Sequence, residues 1–457
     1  MTARYLSMKK IIVSILLLTI LLLTSCSADT ASTKIGNISL LTEEGEAAFC
    51  IVTPYNKSLK ESYAGSDLSL SLTASTGARF TVKSDNLKSS ETLESVALEK
   101  EILIGATNRK ESIEALEGIG DNEYVIQVVG EKIVIVGSDG VMTYKAMQRF
   151  LDMITEENGF ALPKSTNIRE KVEYTPRLIA LTNQGNSHLE VYDISDSTLD
   201  KSALVWAYRL PYENIAGAKL RYSKTYGDVA LAVCGRSYGC MVSYPEGKLL
   251  WSTNFAAKNP HSIELMPNGV IAIASSDGHE VRFFTPSGEE PVAAKSLEDA
   301  HGVLWDEKSQ VLWAVGGNLL TAYKVVLNAD GSVSVTEDNN RRITIPGHGA
   351  HDLAPVYGNT DELWITCGSN VFRFNKTSRK FYTNYMGNRT INVTSVKGIG
   401  NFEDGSVVFI YPDGEYRNWT SSSIVFLKYS DGVMLSEVLK SPTGHFYKVR
   451  VWDSRYQ

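Results

Sequence analysis

The chain has 457 residues, 43% of them hydrophobic, with 45 Lys and Arg against 52 Asp and Glu and a formal charge of -7. That length exceeds one ordinary domain and implies two, at least one with a large core. An acidic surface repels nucleic acid, so no nucleic-acid partner is expected, and five cysteines without a Cys-x-x-Cys pair argue against a thiolate zinc site.

At the N-terminus Lys9 and Lys10 precede the apolar run Ile11 to Leu23. About a dozen residues is the length of a secretory signal core and short for a bilayer span. The run ends in Leu23-Thr24-Ser25-Cys26, which resembles the lipobox of bacterial lipoproteins. The resemblance implies cleavage before Cys26 and attachment of diacylglycerol to it. Residues 1–25 are therefore read as a lipoprotein signal peptide and 26–35 as a Ser/Thr/Ala-rich tether, giving an exported protein lipid-anchored to a bacterial membrane at the cell surface or periplasmic face. Losing Arg4, Lys9 and Lys10 with the leader, and no acid, would take the charge from -7 to -10. Cys234 and Cys240, flanking a Gly-rich turn, could pair across a hairpin in such a compartment.

Residues 36–162 alternate between strand and helix patterns. Strands are expected at Ala47 to Thr53, Arg79 to Lys83 and Lys100 to Ile104, and a hairpin at Tyr124 to Val129 and Lys132 to Val136. Helices are expected within Asn56 to Leu72, from Glu111 to Gly118, and from Thr143 to Ile154, where Met147, Phe150, Leu151 and Ile154 recur at helical spacing. The stretch Glu101 to Arg109, the hairpin and the helix ending Arg149-Phe150-Leu151 resemble the small α/β domain that precedes the catalytic barrel in family 20 hexosaminidases and α-glucuronidases. The resemblance implies a carbohydrate context. No βα-repeat follows, so no catalytic residue carries over.

Residues 163–176 read as a charged linker. From 177 to 457 short β-runs separated by turns dominate, which indicates an all-β sandwich, barrel or propeller. An internal repeat selects the propeller. Lys219, His261, His301, His351, Lys397 and His445 each stand at the head of a β-run, in steps of 42, 40, 50, 46 and 48 residues, the period of four-stranded blades. The sharpest copy runs His261 to Leu265, turns at Pro267-Asn268-Gly269, and continues through Val270 to Ser275, Glu280 to Phe284 and Pro291 to Ser296. In the next copy the fourth strand is placed at Arg342 to Ile345, after an acidic insertion near Glu337. Three strands before Lys219 and one after His445 make up a final blade, closing the ring without exposed edges. The fold class is thus a small α/β domain followed by an all-β propeller, six blades favoured and seven possible.

The first strand of a blade lines the central channel, so the repeated residues should surround one mouth. His261, His301, His351 and His445 are candidate catalytic residues. Lys219, Arg221, Trp305, Lys397, Tyr447 and Lys448 are candidate ligand-binding residues, a basic rim with aromatics for sugar stacking; Arg450 and Tyr222 lie nearby. His261, His301 and His351 could also hold a divalent metal, Zn, Mn or Ca, with Asp352 or Glu264 beside them. The propeller resembles, through Asn259 to Leu265, Asp299 to Asp306, Gly349 to Leu353 and Ser395 to Gly400, a family of uncharacterised bacterial secreted propellers, and more loosely, through His261 and Pro267-Asn268-Gly269, arylsulfotransferase propellers. The expected function is binding or processing of carbohydrate at the channel mouth, with a uronate-rich or sulfated polysaccharide as partner. The alternatives are a metal-dependent polysaccharide lyase or hydrolase, and a non-catalytic scaffold or protein-interaction propeller whose repeated histidines serve the blades themselves.

Overall fold

The computed structural model describes residues 36–430 and 432–456; the signal peptide and tether read from residues 1–35 lie outside them. Residues 36–171 form an α/β unit around a six-stranded sheet in the order Val82–Ser84, Cys50–Thr53, Glu101–Ile104, Lys132–Gly137, Glu123–Val129, Asn167–Lys171. The stretch expected to be only a linker thus supplies an edge strand, which pairs antiparallel with Glu123–Val129. Its polarity suits an edge whose outer side faces water. The central strands are apolar on both faces because both are covered. Ile51, Ile102, Ile104, Ile133 and Ile135 pack under the helices Leu59–Thr76 and Gly140–Met153, while Val52, Leu103, Val134 and Val136 meet Ala115 of the helix Lys110–Leu116. Ser58 and Glu61 cap the first helix reciprocally, and Gly77, at φ 76°, ends it in the left-handed conformation.

The Glu101 to Arg109 stretch that carries the glycosidase resemblance has a structural job here. Arg109 Nη2 and Nε bond the buried Glu101 carboxylate at 2.9 and 3.0 Å, and Asn108 N donates to Asp85 at 2.7 Å.

The second unit is a six-bladed propeller. Blade 1 takes its inner strand, Phe446–Val451, from the C-terminus and its other three, Leu178–Asn183, His188–Asp193 and Leu204–Arg209, from the start of the unit. The inner strands of blades 2 to 6 are Gly217–Ser223, Pro260–Leu265, Ala300–Asp306, Asp352–Pro355 and Gly398–Asn401. Alternation along each strand joins the blades: Val229, Leu231 and Val233 pack on blade 3, while Ala230, Ala232 and Cys234 face blade 1.

Two local expectations change. The fourth strand of blade 4 is Val333–Glu337, whereas Ile343–Thr344 pairs only with Leu319 and Leu320. The Val-x-Val alternation at 333–335 buries one face against blade 3, and the acidic residues after it do not interrupt pairing. Cys234 and Cys240 are buried and unpaired. Their strands align Cys234 with Tyr238 and Ala232 with Cys240, so the two thiols are diagonal rather than opposite.

Candidate functional site at the channel mouth

The inner strands all begin at one end of the channel, and at that end an extra residue is inserted into the ladder. Pro260 pairs with Ser275 and Ser262 with Ala274, leaving His261 as a bulge; Ala300 and Gly302 leave His301 in the same way. His351 N bonds the carbonyl of Thr366, which pairs with Asp352, and Lys397 N bonds Ile410, which pairs with Gly398. A bulge re-aims its side chain, here into the mouth.

This register corrects both ends of the repeat. In blade 1, Phe446 pairs with Asn183 as Pro260 does with Ser275, so Tyr447 occupies the place of His261. His445 lies before the strand and stacks on Tyr416 at 4.0 Å and 24°. In blade 2, Ala216 N bonds Val233, the partner of Gly217, so Ala216 is the mouth residue. Gly217 lies against His261, with room for no Cβ, which sets Lys219 a layer deeper, level with Glu264.

The mouth is therefore ringed by His261, His301, His351, Lys397, Tyr447 and Ala216. The rings of His261 and His301 lie 4.2 Å apart, and those of His301 and His351 5.2 Å apart. Tyr447 Oη bonds His261 Nδ1 at 3.1 Å, Lys397 Nζ bonds His351 Nε2 at 3.1 Å, and His301 Nδ1 faces the Asp299 carboxylate at 3.2 Å. Burial first, then electrostatic repulsion from the neighbouring basic groups His301, Lys448, His351 and Lys397, holds His261 well below the ordinary imidazole range. Burial and the Lys397 ammonium bring His351 down to about 3. Both are uncharged at neutral pH. Burial also lowers Lys397, against the pull of Asp299.

Below the mouth the channel is filled by two charge triads. Glu264, fully buried, accepts Lys219 Nζ at 2.9 Å and Arg221 Nε and Nη2 at 2.6 and 3.0 Å. Asp352, equally buried, receives a two-pronged contact from Arg450 and Lys448 Nζ at 3.4 Å. Burial opposes both carboxylates, but their cations hold them below the usual range, while burial takes Lys219 and Lys448 down to about 8. The void between the triads is about 20 Å³, room for a single water. At the far end the C-terminal residues seal the channel. Tyr456 Oη bonds Leu265 O at 2.9 Å, its ring lies 5.0 Å from the Arg221 guanidinium, and Arg455 O accepts from Arg221 Nη1.

Of the residues expected at the mouth, the structure brings together His261, His301, His351, Lys397 and Tyr447. Lys219, Arg221 and Lys448 are spent on internal carboxylates. Trp305 is buried at the far end of its strand, its Nε1 donating to Glu307 at 2.8 Å, and Tyr222 is exposed at the far end of blade 2. Asp299 and Ala216 belong to the mouth and were not singled out from the sequence; Asp299 directly precedes the Ala-His pair, which could have drawn notice. The trio proposed for a metal does not fit one. His351 Nε2 faces an ammonium, His261 and His301 overlap ring on ring, and among the described residues no group of three or more His, Cys, Asp or Glu side chains has metal-holding geometry.

Residues 205–425 match a family of unknown function, DUF6528. The match includes His261, His301, His351 and Lys397 but not Tyr447. A crystal structure of a protein of unknown function from Bacteroides caccae is 14% identical, over 60% of this chain and 98% of that chain, with a TM-score of 0.42. No curated protein matches.

Proposed function

We propose that the channel mouth binds the acidic group of a carbohydrate, a uronate or sulfated sugar, and that the protein is an exported lipoprotein anchored through Cys26. The observation that carries the binding reading is Lys397. Every other inner-strand cation described above is neutralised by Glu264 or Asp352, whereas Lys397 bonds only the neutral imidazole of His351 and has no carboxylate in ion-pair contact among the described residues. An ammonium at the channel mouth, beside the uncharged imidazoles of His261 and His351 and the Tyr447 hydroxyl, attracts an anion and offers hydrogen bonds to neighbouring hydroxyls.

The imidazoles at the mouth also suggest a second reading, β-elimination from a uronate. An imidazole would take the C5 proton while Lys397 neutralises the carboxylate; the C5–H pair would form the C4–C5 double bond, the C4–O bond would break with its pair on the oxygen, and that oxygen would take up the proton held by the imidazolium. Calorimetry with uronate oligosaccharides against their neutral counterparts tests binding, and ultraviolet absorbance of the unsaturated product tests elimination. Equal affinity for charged and neutral sugars would overturn the first reading, and binding without product the second.

A further inference from the structure

The mouth ring is not polar all round. Its blade 2 position is only Ala216, and the crossover leading to it carries Asn214, whose Oδ1 accepts from Arg417 Nη1. Arg417 lies in segment 411–422, which joins the second and third strands of blade 6. The equivalent joints in the other blades take two to four residues, and the antiparallel order puts all of them at the mouth end of the disc.

The long segment is pinned. Asp413 accepts Ser422 N and both Ser421 and Ser422 hydroxyls at 2.6 to 3.0 Å, Trp419 Nε1 donates to Gln184 at 3.0 Å, and Tyr416 rests on His445. Even so, Tyr416 and Trp419 remain 45% and 46% exposed. The Arg417 guanidinium lies 5.1 Å from the Tyr416 ring and 5.7 Å from the Trp419 ring, and it bonds only neutral amide oxygens, those of Asn214 and Gln184. On the same face Arg236 lies over Tyr212 at 5.3 Å. Neither arginine pairs with a carboxylate among the described residues.

We propose that segment 411–422 is an extended subsite that takes successive pyranose rings of an acidic glycan whose end group sits at Lys397. This rests on the binding reading above. Rigid exposed aromatics can stack on the apolar faces of sugar rings with little entropy left to lose. Arg417 and Arg236, lacking carboxylates, complement further acidic groups along the chain.

The test is calorimetry of the full-length protein with a uronic-acid disaccharide and hexasaccharide, on the wild type and Trp419→Ala, Trp419→Phe and Lys397→Met. The hexasaccharide is expected to bind about tenfold more tightly than the disaccharide, the size of one stacked-ring contact. Trp419→Ala should remove that gain without touching disaccharide affinity, and Trp419→Phe should keep most of it. Equal affinity for both lengths, or an unchanged hexasaccharide affinity in Trp419→Ala, would overturn the subsite while leaving the mouth reading intact. Loss in Trp419→Ala with Lys397→Met indifferent would uphold the platform and overturn the mouth. Binding of neither uronate, or an acidic peptide displacing the hexasaccharide as well as the glycan itself does, would overturn the subsite.

Discussion

Replacing Glu264 with Gln keeps the shape of the side chain and removes its charge from the middle of the channel. Five donors converge on this carboxylate: Lys219 Nζ, Arg221 Nε and Nη2, and the backbone N of Leu265 and Trp305. The two cations respond differently. Lys219, already lowered to about 8, can shed its proton and escape. Arg221 cannot, and is left charged and buried. Breaking one side of a buried ion pair costs about 3–5 kcal/mol. Replacing Arg221 with Met in the same chain removes the stranded charge and should return stability to within about 1 kcal/mol of the wild type, because a packed apolar group substitutes for a buried pair at little net cost. The assay is urea unfolding of the four members of the Glu264→Gln, Arg221→Met cycle, with a coupling energy of about 2–4 kcal/mol expected. A cost below about 1 kcal/mol for Glu264→Gln, or additive single effects, would refute the claim that the triad holds the channel together.

Acid should destabilise the propeller before its carboxylates titrate. His351 binds a proton near 6.5 when unfolded and only near 3 when folded, so its contribution is complete above pH 6.5 and is lost as pH falls toward 3. From pH 7 to pH 5 that removes about 2 kcal/mol, His261 acts in the same direction, and His351→Gln should flatten the profile; an unchanged slope in urea midpoints against pH would contradict this. Tyr456→Ala should cost about 2–3 kcal/mol through the lost hydroxyl bond, the Arg221 contact and packing on blade 4, and Tyr456→Phe about 1 kcal/mol, read by thermal unfolding. Metabolic labelling with a radioactive fatty acid should mark the wild type and not Cys26→Ser; equal labelling would remove the lipoprotein reading.

The six-blade ring was legible because blades 3 to 6 repeat one local device, an apolar residue, a His or Lys and then the inner strand, at nearly constant spacing. The ends of the repeat were less so. Lys219-Leu220-Arg221 copies Lys448-Val449-Arg450 in alternation, but a bulge inserts one residue that alternation cannot locate. Lys219 and His445 seemed to be mouth residues, whereas Ala216 and Tyr447 stand there with no His or Lys to mark them. What neutralises the cations was not legible at all. Glu264 and Asp352 reach their partners across the channel, 43 to 98 residues away in sequence, and nothing local marks that choice. Nothing in the sequence marks segment 411–422, because its length matters only beside the short joints of the other five blades.

The most direct test of the mouth as an anion site is the calorimetric affinity of the wild type and Lys397→Met for a uronate oligosaccharide as pH is raised. Wild-type affinity for the uronate should exceed that for the neutral sugar and decline at lower pH than an ordinary lysine would allow, because burial lowers Lys397, and Lys397→Met should abolish both the preference and the pH dependence. A variant that still prefers the uronate, with an unchanged pH profile, would contradict it.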